Sequence, residues 1–287
     1  MCAQSREPDV FPVVDSHQHF WDIAKFSYPW MPADGVLRRT YAPKDLEHVL
    51  KGNLVSKTVL VQAHKSVDEA RYMLDIAKAN DFVAGVVTWV DLAKPDVGKT
   101  LDELKKYPKL VGIRHPVHDE TDDAWITRPE VIRGLKAVAE RGLAYDLLVR
   151  TQHLKHVKKV ADQAPGLRMV VDHIAKPPIA KGELEPWASE IAKVAALPNV
   201  YCKISGMVTE ADHKKWKTAN LRPYVEHVVK LFGYDRLMWG SDWPVVLLAS
   251  DYDKARVAAV EAIGDCTYEE WAKLMGGTAI AFYKLKV

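Results

Sequence analysis

Val13-Val14-Asp15-Ser16-His17-Gln18-His19-Phe20-Trp21-Asp22 runs from β-branched residues into two histidines separated by one residue. On an extended strand side chains alternate between faces, so His17 and His19 point the same way, with Asp15 one layer below. Two imidazoles on one face at a strand end make half of a metal site, or a pair that polarises a carbonyl. The same spacing also suits two histidines hydrogen-bonded in a polar loop. The rest of the chain decides between these.

Working outward, seven more apolar runs follow the first (13–17), at 57–63, 83–90, 110–115, 143–149, 169–174, 200–205 and 237–242. Most are continuously rich in Val, Ile and Leu, as parallel strands buried on both faces are. Segments of helical period separate them, at 43–51, 67–80, 96–107, 129–141, 153–164, 186–197, 221–232 and 251–263. Several open on Pro and close on Gly, as Pro43 and Gly52 or Pro129 and Gly142 do. A terminal helix is expected over 268–275, stopping at Gly276-Gly277, with Thr278 capping a last short helix to Tyr283. Eight strands alternating with helices, and no Gly-rich phosphate loop after the first strand, predict a TIM-type (β/α)8 barrel. A doubly wound sheet would want fewer strands and a ligand loop such as G-x-G-x-x-G. The whole chain, 1–287, reads as one domain, since barrels commonly reach this length and no linker breaks the pattern. The aperiodic stretch 20–41 after the first strand is long enough to predict a functional loop.

Composition narrows the function. The charge of +2 is the difference between 40 basic and 38 acidic residues, so no basic field exists for nucleic acid or an anionic membrane. No apolar run is long enough to span a bilayer. Residues 1–10 are polar without an apolar core, so no signal peptide is expected and the cytoplasm is the expected location. Cys2, Cys202 and Cys266 are scattered and lack C-x-x-C spacing, which argues against a disulfide framework or a thiolate zinc site.

In such a barrel the chemistry sits at the C-terminal ends of the strands. Read in turn, those ends present His17 and His19, Gln62 and His64, Trp89 and Asp91, and Arg114 and His115. The later four present Asp146 with Arg150, Asp172 and His173 with Lys176, Lys203 and Ser205, and Ser241-Asp242-Trp243. Titratable groups gathered at one end of every strand point to a functional mouth. Alternation lets only one of Asp172 and His173 enter the lumen; His173 is expected there, with Asp172 turned away toward a helix or loop. Arg114 and His115 pose the same parity question, and strand-end twist is expected to bring both to the mouth. His153 and His156, among lysines, read as a solvated helix face. Trp187 and Trp271 are expected to pack helices on the barrel. Trp21, Trp30, Trp89, Trp125, Trp216 and Trp243 follow strand ends or lie in the loops above them, where aromatic faces would suit a sugar-like or cyclic substrate or, equally, pin the loops onto the barrel.

The chain resembles the amidohydrolase superfamily, in the amidohydrolase-related family 2 and its sugar-lactone hydrolase branch. The matching segments are Asp15-Ser-His-Gln-His-Phe-Trp-Asp22, Tyr28-Pro-Trp-Met31, Val61-Gln-Ala63 and Gly112-Ile-Arg-His115. Further along come Asp172-His-Ile-Ala-Lys-Pro177, Cys202-Lys-Ile-Ser-Gly-Met-Val-Thr-Glu-Ala-Asp212 and Met238-Trp-Gly-Ser-Asp-Trp-Pro244. The resemblance implies hydrolysis of an aldonolactone, such as L-fuconolactone or L-rhamnonolactone, to the open-chain acid. It implies that His17, His19 and His173 surround the lactone carbonyl and that Asp242 activates water. It also implies a distorted barrel in which Arg114, His115 and Trp243 contact substrate, with the loop from Phe20 closing over it; His64 and Gln62 at the second strand end and Trp30 in that loop are expected to join them. The fourth and fifth strand ends lack the bridging residue of two-metal relatives, so at most one divalent metal is expected, zinc by preference, on His17, His19, His173 and Asp242. The alternatives are a metal-dependent decarboxylase of a related branch and a non-catalytic ligand-binding barrel.

Overall fold

The computed structural model describes residues 11–287. The polar start at 1–10, and Cys2 within it, lie outside the described residues. Eight parallel strands follow one another round the molecule in chain order, each paired with the next. They are β1 (Val14–Gln18), β2 (Lys57–Val61), β3 (Val83–Thr88), β4 (Leu110–Pro116), β5 (Ala144–Leu148), β6 (Arg168–Val171), β7 (Val200–Ile204) and β8 (Leu237–Trp239). Their residues are almost all buried, which is why the strands read as unbroken apolar runs. This is the expected (β/α)8 barrel.

The last seam is the distorted one. β8 is three residues long, and the ring closes through the segment beyond it. Gln18 bridges to Trp243, the His19 amide donates to the Trp243 carbonyl at 2.7 Å, and the Asp242 amide donates to the His17 carbonyl at 2.8 Å. Asp15, buried beneath, accepts from the Ser241 amide at 2.9 Å and from the Tyr252 hydroxyl at 3.0 Å. The seam thereby sets Asp242 beside the two β1 histidines.

The strands are wrapped by α1 (Pro43–Gly52), α2 (Val67–Ala79), α3 (Val97–Leu104), α4 (Pro129–Glu140), α5 (Thr151–Leu154), α6 (Val157–Gln163), α7 (Trp187–Ala195), α8 (Met207–Glu210), α9 (Thr218–Phe232), α10 (Tyr252–Ile263), α11 (Tyr268–Ala272) and α12 (Thr278–Tyr283). The expected helix over 153–164 is two pieces, and the His153 ring caps the start of the first by accepting the Arg150 amide at 3.0 Å. His153 is consequently 1% exposed rather than solvated. The expected stop at Gly276-Gly277 does not occur either. A π turn carries α11 into α12, and a Cβ on Gly276 would lie 2.1 Å from the Pro12 carbonyl oxygen. That glycine serves a close backbone approach, and Thr278 donates to the Tyr234 carbonyl at 2.9 Å instead of capping a helix.

The C-terminal segment closes one end of the barrel. Phe282, Tyr283 and Leu285 pack among the interior residues Val14, Val59, Val61, Val87, Val170 and Met238. Burying a side chain of this size contributes about 1.5–3 kcal/mol, so the plug anchors the barrel as well as sealing it. Only the end where the strands finish stays open.

Candidate active site

His17 stands within β1 and is fully buried. Its Nε2 accepts from Arg114 Nη1 at 3.2 Å and lies 3.8 Å from Asp242 Oδ1. Its Nδ1 faces Asp172 Oδ1 at 3.3 Å and Lys203 Nζ at 3.2 Å. His19, on the same face, has Nδ1 2.7 Å from the Val61 carbonyl and Nε2 3.2 Å from Asp242 Oδ1. His173 sets Nδ1 against Ser205 Oγ at 2.9 Å and Nε2 3.9 Å from Asp242 Oδ1. Thus the three histidines and Asp242 named from the strand ends do converge.

The segment between β6 and α7 does most to shape this convergence. His173, Ile174, Ala175 and Lys176 have φ of 53°, 46°, 62° and 51°. Left-handed backbone costs an L-residue roughly 1–2 kcal/mol, and four in a row persist only where the surroundings over-determine them. Here Ile174 and Ala175 are fully buried, and the Trp187 indole donates to the Ile174 carbonyl at 2.6 Å. The turn breaks strand alternation after Val171, so Asp172 and His173 both face the barrel interior. The expectation that Asp172 turns outward is corrected: it accepts from Arg114 at 3.0 Å and pairs with Lys203 at 3.0 Å. Opposite, Gly206 (φ 60°) is required, because a Cβ there would lie 2.6 Å from the His173 ring.

Electrostatics separate the groups by role. Burial works against the Asp242 carboxylate, yet His173, the His19 hydrogen bond and Lys176 outweigh it and hold its pKa below the ordinary value. Burial drives His17 and His173 well below the usual imidazole range despite the neighbouring Asp172 and Asp242 carboxylates, so both are neutral near pH 7. The site therefore presents an ionised carboxylate among neutral imidazoles. Asp146, deeper in the barrel, is pushed up to about 6 by burial, against the pull of Lys203.

A cavity of about 400 Å³ opens above these groups, within the 300–1,000 Å³ common for small-molecule sites. His19, His173, Asp242, Arg114, Gln62, His64 and Trp30 line it as expected, joined by Lys65, His118, Asp119 and Lys176. Two expected substrate contacts are elsewhere. His115 obeys strand alternation after all, stacking on Trp125 at 3.9 Å and bonding to Trp89 and Glu120. Trp243 is 3% exposed and packs edge-on against Tyr41 and Phe20. Of the loop tryptophans expected to face a sugar, only Trp30 lines the cavity, while Trp21, Trp125 and Trp216 are buried and pin their loops. The loop after β1 is likewise packed down through Trp21, Tyr28 and Tyr41, and reaches the cavity with Pro29 and Trp30.

Two buried charged residues, Lys203 and Glu69, join the site without a role expected from the sequence. Lys203 is fully buried, 2.6 Å from Asp146 and in reach of Asp172 and His17. Glu69 is buried under the β2 end, where it accepts the Ala63 and His64 amides. Burial raises its pKa to about 7. A charged residue inside an apolar run was the available signal for Lys203. Nothing in the helical period of 67–80 marks Glu69.

The residues fit a divalent metal. A carbonyl only accepts, so His19 Nδ1 carries the proton and the bare Nε2 of a neutral ring would face Asp242 Oδ1 lone pair to lone pair at 3.2 Å. A cation or a second proton resolves that clash. His17, His173 and Asp242 each offer a ligand atom, all within 4.8 Å of one another and all buried, a donor set suited to catalytic zinc.

With this geometry described, its relatives can be set beside it. A family model described as amidohydrolase matches residues 14–285. The chain is 40% identical to an L-fucono-1,5-lactonase of Burkholderia ambifaria over 95% of each chain. It is 35% identical to an L-fucono-1,5-lactonase of Burkholderia multivorans, over 95% of this chain and 96% of the other. A solved amidohydrolase from Burkholderia multivorans with bound zinc superposes with a TM-score of 0.90 at 35% identity, covering 96% of this chain and 100% of that one. No helix among the described residues is long and apolar enough to cross a membrane. The chain belongs to the amidohydrolase family.

Proposed function

We propose that this protein, acting as one domain, hydrolyses a sugar-derived lactone to the open-chain acid. The observation that carries the proposal is Asp242, an ionised carboxylate among three imidazoles and a guanidinium at the floor of a cavity of small-molecule size. The names of the relatives make L-fucono-1,5-lactone the first substrate to test, with L-rhamnonolactone second.

In this reading Asp242 takes a proton from water as the oxygen adds to the lactone carbonyl. His19, His173 and Arg114, which line the cavity, stabilise the charge that develops on the carbonyl oxygen, and His17, whose Nε2 accepts from Arg114, holds that guanidinium in place. Asp172 and Lys203 fix the His17 ring from behind, as supporting groups do around reactive ones. A single divalent ion, zinc by preference, would be held by His17, His173 and Asp242, with His19 adjacent, and would act as a Lewis acid on the carbonyl. Trp30 offers the sugar ring a face; its indole is pinned to the Ala63 carbonyl at 2.7 Å yet remains 42% exposed. Gln62, His64, Lys65, His118 and Asp119 supply donors and acceptors for ring hydroxyls.

The test is a pH-indicator assay over a panel of 1,4- and 1,5-aldonolactones, with δ-valerolactone as the aliphatic comparison. Sugar lactones should exceed δ-valerolactone by about a hundredfold or more in kcat/KM, because a site built for hydroxyls is left with unpaired groups by a substrate lacking them. Equal or reversed preference removes the sugar assignment, and no hydrolysis of any lactone removes the function.

A further inference from the structure

The left-handed turn after β6 points two side chains into the cavity: His173 at its start and Lys176 at its end. Lys176 has no step in the hydrolysis proposed above. Its ammonium is 2.6 Å from Glu210 Oε1, and the other Glu210 oxygen is 4.0 Å from the Arg150 guanidinium. Among the other basic groups lining the cavity, Arg114 is committed to Asp172, His17 and the Gln62 carbonyl. Lys65 is 43% exposed and faces Glu120, and His118 pairs with Asp119. Lys176 is 14% exposed, with one close partner for three N–H groups. It lines the same cavity as Asp242 and His173.

Lactone opening leaves a proton donor to be found. The departing ring oxygen is an alkoxide and must be protonated as it leaves. In the proposed hydrolysis Asp242 is engaged with the proton of the attacking water, and His173 has Nδ1 turned to Ser205 at 2.9 Å. Resting on the lactonase reading, we propose that Lys176, held in place by Glu210, is the general acid that protonates the departing ring oxygen. Water's oxygen bonds to the carbonyl carbon while its proton passes to Asp242. The bond from that carbon to the ring oxygen then breaks, its electron pair stays on the ring oxygen, and that oxygen takes a proton from the Lys176 ammonium. The Asp242 proton passes to the Lys176 amine and resets both groups, and the new carboxylic acid releases its proton to solvent. Glu210 acts through Lys176 and is a positioning residue.

The experiment is steady-state kinetics of the full chain on L-fucono-1,5-lactone, with thermal melts as a fold control. Lys176→Met preserves the Cβ and the strained backbone; it should lower kcat about 10²- to 10³-fold with KM within about threefold. Lys176→Arg retains the charge but cannot release a proton, so its kcat should stay within about tenfold of the Met variant. Glu210→Gln should lower kcat about tenfold and alter the alkaline limb of its pH profile. A Met variant with wild-type kcat, a loss confined to KM, or an Arg variant restoring kcat to within about threefold of wild type overturns the assignment. If neither Lys176 variant folds, Glu210→Gln decides: an unchanged kcat and pH profile sinks the idea. A wild-type protein that hydrolyses no aldonolactone sinks the lactonase reading with it, whereas an active wild type beside an unaffected Lys176→Met sinks the Lys176 role alone.

Discussion

Two clusters of buried charge meet at His17, one toward the mouth of the barrel and one toward its plug. The mouth cluster is Asp242 with His19 and His173. The plug cluster is Asp146 and Asp172 with Lys203 and Arg114, closed from below by the Tyr283 hydroxyl at 2.7 Å from Asp146. Both use carboxylates and nitrogen bases, yet they do opposite things. The plug cluster sets two carboxylates against two cations, of which Arg114 alone reaches the cavity, so most of its charge is answered within the cluster. The mouth cluster has one ionised carboxylate among imidazoles, two of which are neutral, and it opens on the cavity. What marks a reactive group here is interaction capacity that the fold leaves open, rather than residue type.

The largest test of that contrast is Asp242→Asn. Turnover should fall about 10²- to 10⁴-fold while the melting temperature is kept, because the lost group supports chemistry rather than packing. Near-normal turnover would end its assignment as the base. Lys203→Met should behave in the reverse sense. It leaves buried Asp146 without its cation and Asp172 with Arg114 alone, and should cost about 3–5 kcal/mol of stability, measured by urea unfolding. A stable Lys203→Met protein would mean that the plug cluster is not structural.

Zinc gives the next effect. An ion binding only the folded chain at a hundredfold excess over its Kd adds about 2.7 kcal/mol. The melting temperature of chelator-treated protein should therefore rise on adding zinc, and His173→Ala should blunt the rise. An unmoved wild-type melt would leave a proton, rather than a metal, between His19 and Asp242.

The smallest effect is in pH. The pKa of Asp146 is raised on folding, from 3.8 to about 6. Its favourable contribution is full below about pH 4 and is lost as pH rises toward 6. The stability of wild type relative to Asp146→Asn should therefore fall progressively across that window and then level off. Asp242 has the opposite sign, since its pKa is depressed in the fold. Its contribution persists above about pH 4 and is lost only as pH drops below that, so the difference between wild type and Asp242→Asn should stay flat from pH 4 to 7. Parallel curves for the two variants would erase the distinction.

The barrel was legible because strands buried on both faces leave little room for polar residues except at their ends. That logic located His17, His19, Gln62, His64, Arg114, His173 and Asp242. It failed where a local rule was broken or was silent. Asp172 was sent to the wrong side because alternation was assumed to run past Val171 into a left-handed turn. His115 was brought into the cavity by supposing a twist that the strand does not make. The loop tryptophans were ambiguous because an indole that packs and an indole that binds look alike until burial is known. Gly276 resembled a helix stop and instead makes room for the Pro12 carbonyl.

By itself, the sequence determined the alternation of strands and helices, the family, and the donors at the strand ends, because periodicity and spacing are local properties of the chain. Only the tertiary structure decided which donors share a contact. Lys203 meets His17 across 186 residues, and His19 meets Asp242 across 223. Closing the barrel brings those groups together, and the burial that comes with closure makes their charges strong. The same H-x-H that could have been a polar loop is thereby set with one histidine against a buried salt-bridge network and both against the carboxylate that faces the cavity.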